Sequence, residues 1–338
     1  MSRLKLGLQL GYWQAQPPVG FVEAAQEAER LGYDSVWTAE AWGSDAFTPL
    51  AWIGAHTQRI KLGTSIVQLS ARTPTATAMH VLTLDHLSGG RVILGLGVSG
   101  PQVVEGWYGQ PFAKPLARTR EYVDIIRQVL RREAPVESPG PHHPLPYRGA
   151  GAWGLGKGLK SITHPLRADV PIYLGAEGPK NVALATEIAD GWLPLYYTPF
   201  RQEVYAESLG KLRPGFEIAA MVPVNVTDDV EAGLLPMKMT LGFYIGGMGA
   251  KDRNFHKELM ARMGFESQAQ KIQDLFMAGK RQEAVAAVPS EFADEITLTG
   301  PIERIRDRLE AWRESPVTTL LLPGSNTGAM RTLAELVL

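Results

Sequence analysis

Short apolar runs alternate with helix-like segments along most of this chain, most clearly between residues 60 and 100. Residues 62–69 and 92–96 are rich in β-branched and aliphatic side chains, which is typical of strands buried in a sheet. Between these runs, Thr73 followed by Pro74 marks a helix start, because threonine caps the free N–H groups of a first turn and proline needs no such cap. This stretch therefore predicts a strand, a helix and a second strand parallel to the first.

The predicted helix has an apolar stripe and a defined end. Met79, Leu82 and Leu87 are spaced so that they share one face, and Ser88 with two glycines after it stops the helix. Past the two strand ends, residues 65–68 and 97–101 offer small side chains and exposed backbone. We expect ligands to bind there.

The same unit recurs along the chain. The predicted strands are residues 5–10, 35–38, 62–69, 92–96, 172–175, 192–195, 217–226 and 318–322, and the other predicted helices are residues 20–31, 47–57, 118–132, 179–189 and 201–211. Eight alternating units favour an α/β fold, a (β/α)8 TIM barrel, over a doubly wound sheet. We expect a single domain over residues 1–338, with an irregular insertion before strand 5 (about 135–169) and a helical one before strand 8 (about 228–316). Both insertions are expected to serve the active site.

Composition narrows the function. The 338 residues carry a net charge of −1 with scattered basic residues, which argues against a nucleic-acid surface. No apolar run reaches the roughly eighteen residues of a membrane span, so we expect a cytoplasmic protein. The absence of cysteine excludes disulfides, thiolate catalysis and iron–sulfur clusters. The histidines show no metal-ligand spacing, and no metal is predicted.

Two glycine-containing segments resemble nucleotide motifs. Residues 95–100 match G-x-G-x-x-G after a strand, but no helix is expected there, because Pro101 and Gly106 intervene, so a dinucleotide fold is disfavoured. The second segment follows strand 5 and opens a helix at Pro179, whose free N–H groups and positive dipole end suit an anion. It consists of Gly175, Ala176, Glu177, Gly178 and Pro179. The residues alone fit a tight turn equally well, and the barrel location favours a phosphate site.

Several runs, read together, resemble the luciferase-like flavin/deazaflavin oxidoreductase family in its branch that uses coenzyme F420. They are TAEAWGSDAF, RIKLGTSIVQL, LSGGRVILGLGVSGPQVVEGWYG, KPLARTREYVDIIR and IYLGAEGPKNVALATEIADGW. The resemblance implies a non-prolyl cis peptide at Ser65-Ile66 behind the cofactor ring. It also implies a ring-lining loop at Gly97, Val98 and Ser99, and a phosphate site at residues 175–179.

Two positions depart from relatives that oxidise alcohols or sugar phosphates. Glu40 is followed by Ala41, where those relatives have histidine, and Gly100 stands where they have glutamate. Their acid–base pair is therefore not carried over, and sugar phosphate oxidation is disfavoured. Glu40 remains a candidate catalytic and cofactor-binding group that bonds the ring or relays a proton, and a structural role for it is equally open.

The resemblance implies hydride transfer between F420 and a small-molecule substrate, in a homodimer. An apolar aromatic cavity over the ring would suit an organic carbonyl or activated alkene. The open face of the ring is expected to be walled by aromatic residues, namely Tyr12, Trp13, Trp42, Trp107 and Tyr244. Three alternatives stay open: an FMN-dependent monooxygenase of the same superfamily, a cofactor-free barrel enzyme, and a protein that binds deazaflavin without catalysis.

Overall fold

The computed structural model describes residues 4–249 and 254–338. Its strands are β1 Lys5–Gly11, β2 Ser35–Thr38, β3 Lys61–Thr64, β4 Val67–Gln68, β5 Val92–Gly97, β6 Ile172–Gly175, β7 Gly191–Leu193, β8 Glu217–Met221, β9 Val224–Val226, β10 Leu298–Gly300 and β11 Thr319–Pro323. The predicted third and seventh strands are each divided in two, and β10 was not predicted. The other predicted strands agree to within two residues.

The first helices are α1 Phe21–Leu31, α2 Phe47–Ala55, α3 Pro74–Ser88, α4 Pro101–Gly106, α5 Pro115–Arg131, α6 Pro179–Ile188 and α7 Glu203–Leu209. The later ones are α8 Val230–Gly247, α9 Phe255–Met260, α10 Glu266–Met277, α11 Arg281–Ala286, α12 Ser290–Glu295, α13 Ile302–Glu314 and α14 Thr327–Val337. A 3-10 turn at Pro199–Arg201 and a π-helical turn at Ala261–Phe265 complete the helical elements of the described residues.

Two helix predictions were wrong. A short helix, α4, does begin at Pro101, because Gly100 is extended and proline suits a first helical position. The expected stripe of α3 is also wrong, since Met79 and Leu87 are 63% and 74% exposed. Polar and apolar residues are mixed on every side of α3, so apolar spacing cannot identify its buried face, which includes Val81 and Leu84.

The strand order confirms the predicted (β/α)8 barrel. The order is β3-β2-β1-β11-β8-β7-β6-β5-β4, and a further pairing of β3 with β5 closes the sheet. The β2–β3, β3–β5, β5–β6 and β8–β11 pairings are parallel. Since β4 continues β3 and also pairs with β5, the ring contains eight strand positions.

The chain forms two compact units. The first comprises Leu8–Gly175 and Leu184–Trp192, and the second comprises residues 4–7, Ala176–Ala183 and the described part of Leu193–Leu338. In the first unit, Trp37 is 1% exposed and lies over Gly63, its partner across β2 and β3. A side chain at Gly63 would collide with that ring, because an added Cβ would lie 2.2 Å from it.

The two insertions differ in the way that was predicted. Residues 135–169, in the first unit, have no helix and show one isolated antiparallel bridge between Ser138 and Leu145. The described residues of 228–316, in the second unit, fold into helices α8 to α13, with β10 paired to β9. Within the described ranges, no helix is both long enough and apolar enough to cross a membrane. The single domain stays a prediction.

Candidate active site

The third barrel strand is interrupted where a ligand site was expected. The Ser65-Ile66 peptide is cis, as predicted. Three residues lie between Gly63 and Val67, whereas two lie between their partners Ile93 and Leu96 on β5, so one extra residue forms a β-bulge.

Hydrogen bonds from the second strand hold this bulge. The Ser65 N–H donates to the Thr38 carbonyl at 2.7 Å, and the Glu40 N–H donates to the Ile66 carbonyl at 3.2 Å. The bulge is therefore attached on one side to the end of β2, where Glu40 lies.

The side chain of Ile66 gathers three predicted cofactor positions. A Cβ added to Gly97 would lie 2.8 Å from its Cδ1 atom, and one added to Gly175 would lie 3.0 Å from its Cγ2 atom. The ends of β5 and β6 are glycines because Ile66 occupies the space that a side chain would need. The structure thus brings Ile66, Gly97 and Gly175 together, and their contact with a cofactor stays a prediction.

Glu40 is buried and its carboxylate is fully engaged. Both carboxylate oxygens accept hydrogen bonds from Arg72 Nη1, at 2.9 and 3.0 Å, and Oε1 also accepts from the Gln68 N–H at 2.8 Å. Burial lowers the pKa of Arg72, but the hydrogen bond and charge of Glu40 raise it, and the net shift is upward. These contacts support the structural alternative for Glu40; its contact with a ring stays a prediction. Sequence reasoning missed Arg72.

Two buried amide oxygens near the bulge have no partner within the described residues. They are Oε1 of Gln9 and Oε1 of Gln68. The Gln68 Nε2 group donates to the Ala41 carbonyl at 2.8 Å, and the Gln9 Nε2 group donates to the Ser65 carbonyl at 3.4 Å. Buried acceptors without donors are rare in folded proteins, and they suit a ligand that presents N–H groups.

The loop after β5 turns sharply into α4. Ser99 has a φ of 60°, in the left-handed region, and Gly100 returns to an extended conformation before Pro101. This loop contains the predicted residues Val98 and Ser99. Beyond α4, the Tyr108 hydroxyl donates to the Ala41 carbonyl at 3.3 Å, a link that sequence reasoning missed because it considered only the neighbouring Trp107.

The aromatic residues predicted to wall the substrate do not form one cluster in the first unit. Tyr12 and Trp13 are half-buried, and the Trp13 ring packs on Phe21 with centroids 6.1 Å apart. Trp42 and Trp107 are 49% and 63% exposed. Across the described residues, no ring contact joins any of the four to another. Their substrate role stays a prediction.

In the second unit, the predicted phosphate segment leads into α6 as expected. The Gly178 carbonyl accepts hydrogen bonds from the N–H groups of Asn181 and Val182, so Gly178 stands at the start of the helix. Its φ lies outside the left-handed region, and an added Cβ would meet no atom within 4 Å. Open space therefore precedes Pro179, where an anion was predicted.

Glu177 has partners that the sequence did not indicate. Nδ1 of His256 donates to its carboxylate at 2.9 Å, and Nη2 of Arg262 donates to its carbonyl oxygen at 2.8 Å. The His256 ring packs edge-on against the predicted substrate residue Tyr244, at 5.0 Å, and against Tyr196, at 6.0 Å. A predicted cofactor residue and a predicted substrate residue are thus joined through His256. No local motif marked His256.

Comparisons with known proteins identify similar sequences and similar folds. The family model described as luciferase-like monooxygenase matches residues 6–319. The chain is 56% identical over 343 residues to Rv3520c of Mycobacterium tuberculosis, provisionally named a coenzyme F420-dependent oxidoreductase, with 99% of each chain covered. Its fold is similar to that of the F420-dependent tetrahydromethanopterin reductase of Methanopyrus kandleri, at a TM-score of 0.80, 22% identity and 99% coverage of each chain. It is also similar to an F420-dependent secondary alcohol dehydrogenase solved with an F420–acetone adduct, at a TM-score of 0.75, 18% identity and coverage of 99% and 98%.

Proposed function

Because this chain belongs to the luciferase-like monooxygenase family, we propose that it is an oxidoreductase that transfers a hydride between coenzyme F420 and a small organic molecule. The family resemblance read from the sequence is confirmed. The observation that supports the proposal most is the contact of Ile66 with both Gly97 and Gly175, since it joins residues of three neighbouring strand positions in one surface, to which we assign the ring.

The residues present fit the cofactor. The unpartnered buried oxygens of Gln9 and Gln68 suit the N–H donors of a deazaflavin ring. The open space before α6, at Gly178, suits its phosphate, because the positive end of the helix dipole favours an anion there.

Hydride chemistry comes from the deazaflavin, which carries hydride on a ring carbon. The role of the protein would be to position the ring and the substrate. Ile66 and the glycines beside it would cover one ring face, which leaves the other face for an organic carbonyl or activated alkene at contact distance. Glu40 and Arg72 would act indirectly, by holding the bulge in place.

Titration with F420 and with FMN tests the proposal directly. We expect F420 to bind with quenching of its fluorescence, and reduced F420 to be oxidised by some members of a carbonyl and enone panel. FMN binding together with oxygen consumption would instead support the monooxygenase alternative. Binding of F420 without turnover of any acceptor would support the non-catalytic alternative.

We also propose a homodimer that pairs through α2 and α3. Helix α2 has no charged residue, and α3 has one carboxylate, Asp85, which is buried. Three apolar side chains on these two packed helices are at least half exposed: Trp52, Met79 and Leu87. Apolar side chains that are exposed together are often covered by a partner, and a two-fold axis lets one such face cover its copy.

A further inference from the structure

A loop in the insertion at residues 135–169 exposes large apolar side chains. Residues 147–156 contain no helix or strand, and each of them is exposed. Trp153 is 91% exposed and Leu155 is 80% exposed. Single exposed apolar side chains are ordinary, whereas a group of them on one segment marks a surface that contacts a protein or a membrane.

The ends of this loop meet, so the residues between them project from the first unit. An added Cβ at Gly156 would lie 3.4 Å from Cβ of Pro146 and 3.7 Å from the carbonyl oxygen of Tyr147. Within the loop, the Tyr147 hydroxyl donates to the Ala150 carbonyl at 3.0 Å. Compact surface loops with close ends are frequently functional, and Trp153 lies in the middle of this one.

Two backbone carbonyls just after the loop are bound by the chain that leaves α5. The Leu159 carbonyl accepts a hydrogen bond from the Val136 N–H at 3.0 Å. The Ser161 carbonyl accepts one from Nε of Arg132, the residue that follows α5, at 2.8 Å. The loop therefore stands on a fixed base, and its exposed side chains have a defined place on the first unit.

Positive charge accompanies these apolar side chains. Three exposed cations lie in the loop or within four residues of its end; they are Arg148, Lys157 and Lys160. Across residues 4–249 and 254–338, their side chains form no ion pair and no hydrogen bond. Residues 138–168 contain no aspartate or glutamate, and their fourth cation, Arg167, pairs with Asp85. Glu137 precedes this range and approaches the chain at Gly158, and it leaves the three cations unpaired.

We infer that residues 147–160 dock the protein on the surface of an anionic lipid bilayer. Trp153 and Leu155 enter the boundary between head groups and acyl chains, where tryptophan is favoured. The three unpaired cations face the lipid phosphates. Insertion into lipid requires no shaped partner surface, which suits a loop that has four glycines and no regular secondary structure.

Two other partners match this surface less well. A second copy related by a two-fold axis would place the same cations opposite one another, and like charges repel. An acidic protein would match the charge, but the centre of a protein interface is packed as densely as a protein interior. Residues 147–156, with their four glycines, have few side chains to fill such a centre.

Cosedimentation with lipid vesicles tests the inference and needs no cofactor. We expect the unmodified protein to bind vesicles of phosphatidylglycerol and phosphatidylcholine in equal parts, and hardly to bind phosphatidylcholine alone. The bound fraction should fall as salt is added, because salt screens exposed charges. The double variant Trp153→Ser, Leu155→Ser should bind at least about tenfold more weakly, since an apolar side chain of this size gains that much on leaving water. The double variant Lys157→Gln, Lys160→Gln should lose about fivefold for each cation removed.

Matched controls lie outside the loop. Val19→Ser removes an apolar side chain that is 96% exposed, and the double variant Lys211→Gln, Lys271→Gln removes two exposed cations without ion pairs in the described residues. Both controls should bind the vesicles as the unmodified protein does. Urea unfolding should give the same midpoint for every variant, because all the substituted side chains are exposed.

The outcomes separate the lipid surface from its alternatives. Failure of the unmodified protein to bind the anionic vesicles would overturn the inference and leave the proposed function standing, since F420 titration is a separate measurement. Unchanged binding by the Trp153→Ser, Leu155→Ser variant, or an equal loss in the controls, would show that the loop is not the docking surface. Self-association that requires Trp153, in a protein that ignores vesicles, would assign the loop to a second copy instead.

Discussion

Ile66 and Gly97 are matched in size: the isoleucine side chain fills the space that any side chain at Gly97 would need, with a hypothetical Cβ only 2.8 Å from Cδ1 of Ile66. Two residues on neighbouring strands therefore determine each other. The surface proposed to back the cofactor ring depends on this match more than on any polar group.

Gly97→Ala should move Ile66 and weaken F420 binding. Overpacking of this kind costs typically about 1–3 kcal/mol, and we expect a loss in that range in urea unfolding. Gly106→Ala is the control, because its added Cβ would meet nothing within 4 Å. Equal behaviour of the two variants in unfolding and in F420 titration would contradict the proposed fit.

Arg72→Met should destabilise the protein by about 3 kcal/mol, because it leaves the buried Glu40 carboxylate without its cation. Arg120→Met is the control, since its partner Glu187 is exposed, and we expect hardly any change there. Urea unfolding measures both variants.

The double variant Glu40→Gln, Arg72→Met should cost less than the sum of the two single changes, since each single change strands its partner. Additive costs would show that the pair is not coupled.

Gly178→Asp should weaken F420 binding, because it puts a carboxylate where the phosphate is expected. Repulsion and lost backbone contacts are worth on the order of 2–4 kcal/mol, or roughly thirty- to thousandfold in Kd. Thermal stability should stay the same or rise by about 0.3–1 kcal/mol, because an acid favours a helix N-terminus and Gly178 needs no positive φ. Gly178→Ala is the control that removes the glycine without adding a charge. Unchanged F420 affinity in the Asp variant would show that the phosphate lies elsewhere.

Glu29 should make the stability of the folded protein decrease in acid. Burial raises the pKa of Glu29, but hydrogen bonds from the N–H groups of Ile60, Arg59 and Gln58 outweigh it and lower the pKa below 4.5. A carboxyl with a lowered folded-state pKa stabilises the protein above its unfolded-state value, and this stability is lost as the pH falls through the folded-state value.

Glu29→Gln should therefore be less stable than the unmodified protein at neutral pH, and the gap should narrow as the pH falls below 4.5. Urea unfolding midpoints across the pH range measure the gap. Glu23→Gln, on the same helix, serves as the control. A gap that does not depend on pH would contradict this account.

Trp52→Glu should convert the proposed dimer into a monomer in sedimentation equilibrium at micromolar concentration, because it places a charge on the α2–α3 face. The fold should be kept, since Trp52 is 58% exposed. Val19→Glu, at a site that is 96% exposed outside this face, should remain a dimer. Sedimentation of the unmodified protein as a monomer would contradict the proposed homodimer.

The sequence by itself determined the elements whose signals are local. The bounds of Ser35–Thr38 and Ile172–Gly175 were predicted without error, because each is a short apolar run with clear ends. The start of α3 at Pro74 followed from Thr73, whose side chain does accept from the Ala76 N–H. The recurrence of strand–helix units was enough to predict the barrel, and the family resemblance located the cis peptide.

Only the tertiary structure decided which distant residues meet. Glu40 and Arg72 are 32 residues apart, and Glu177 and His256 are 79 apart, so no spacing rule relates them. Periodicity could not orient α3 either, because its polar and apolar residues do not separate onto two faces. Packing alone brought the His256 imidazole to the Glu177 carboxylate, since a long-range contact depends on the path of the whole chain and not on the residues beside it.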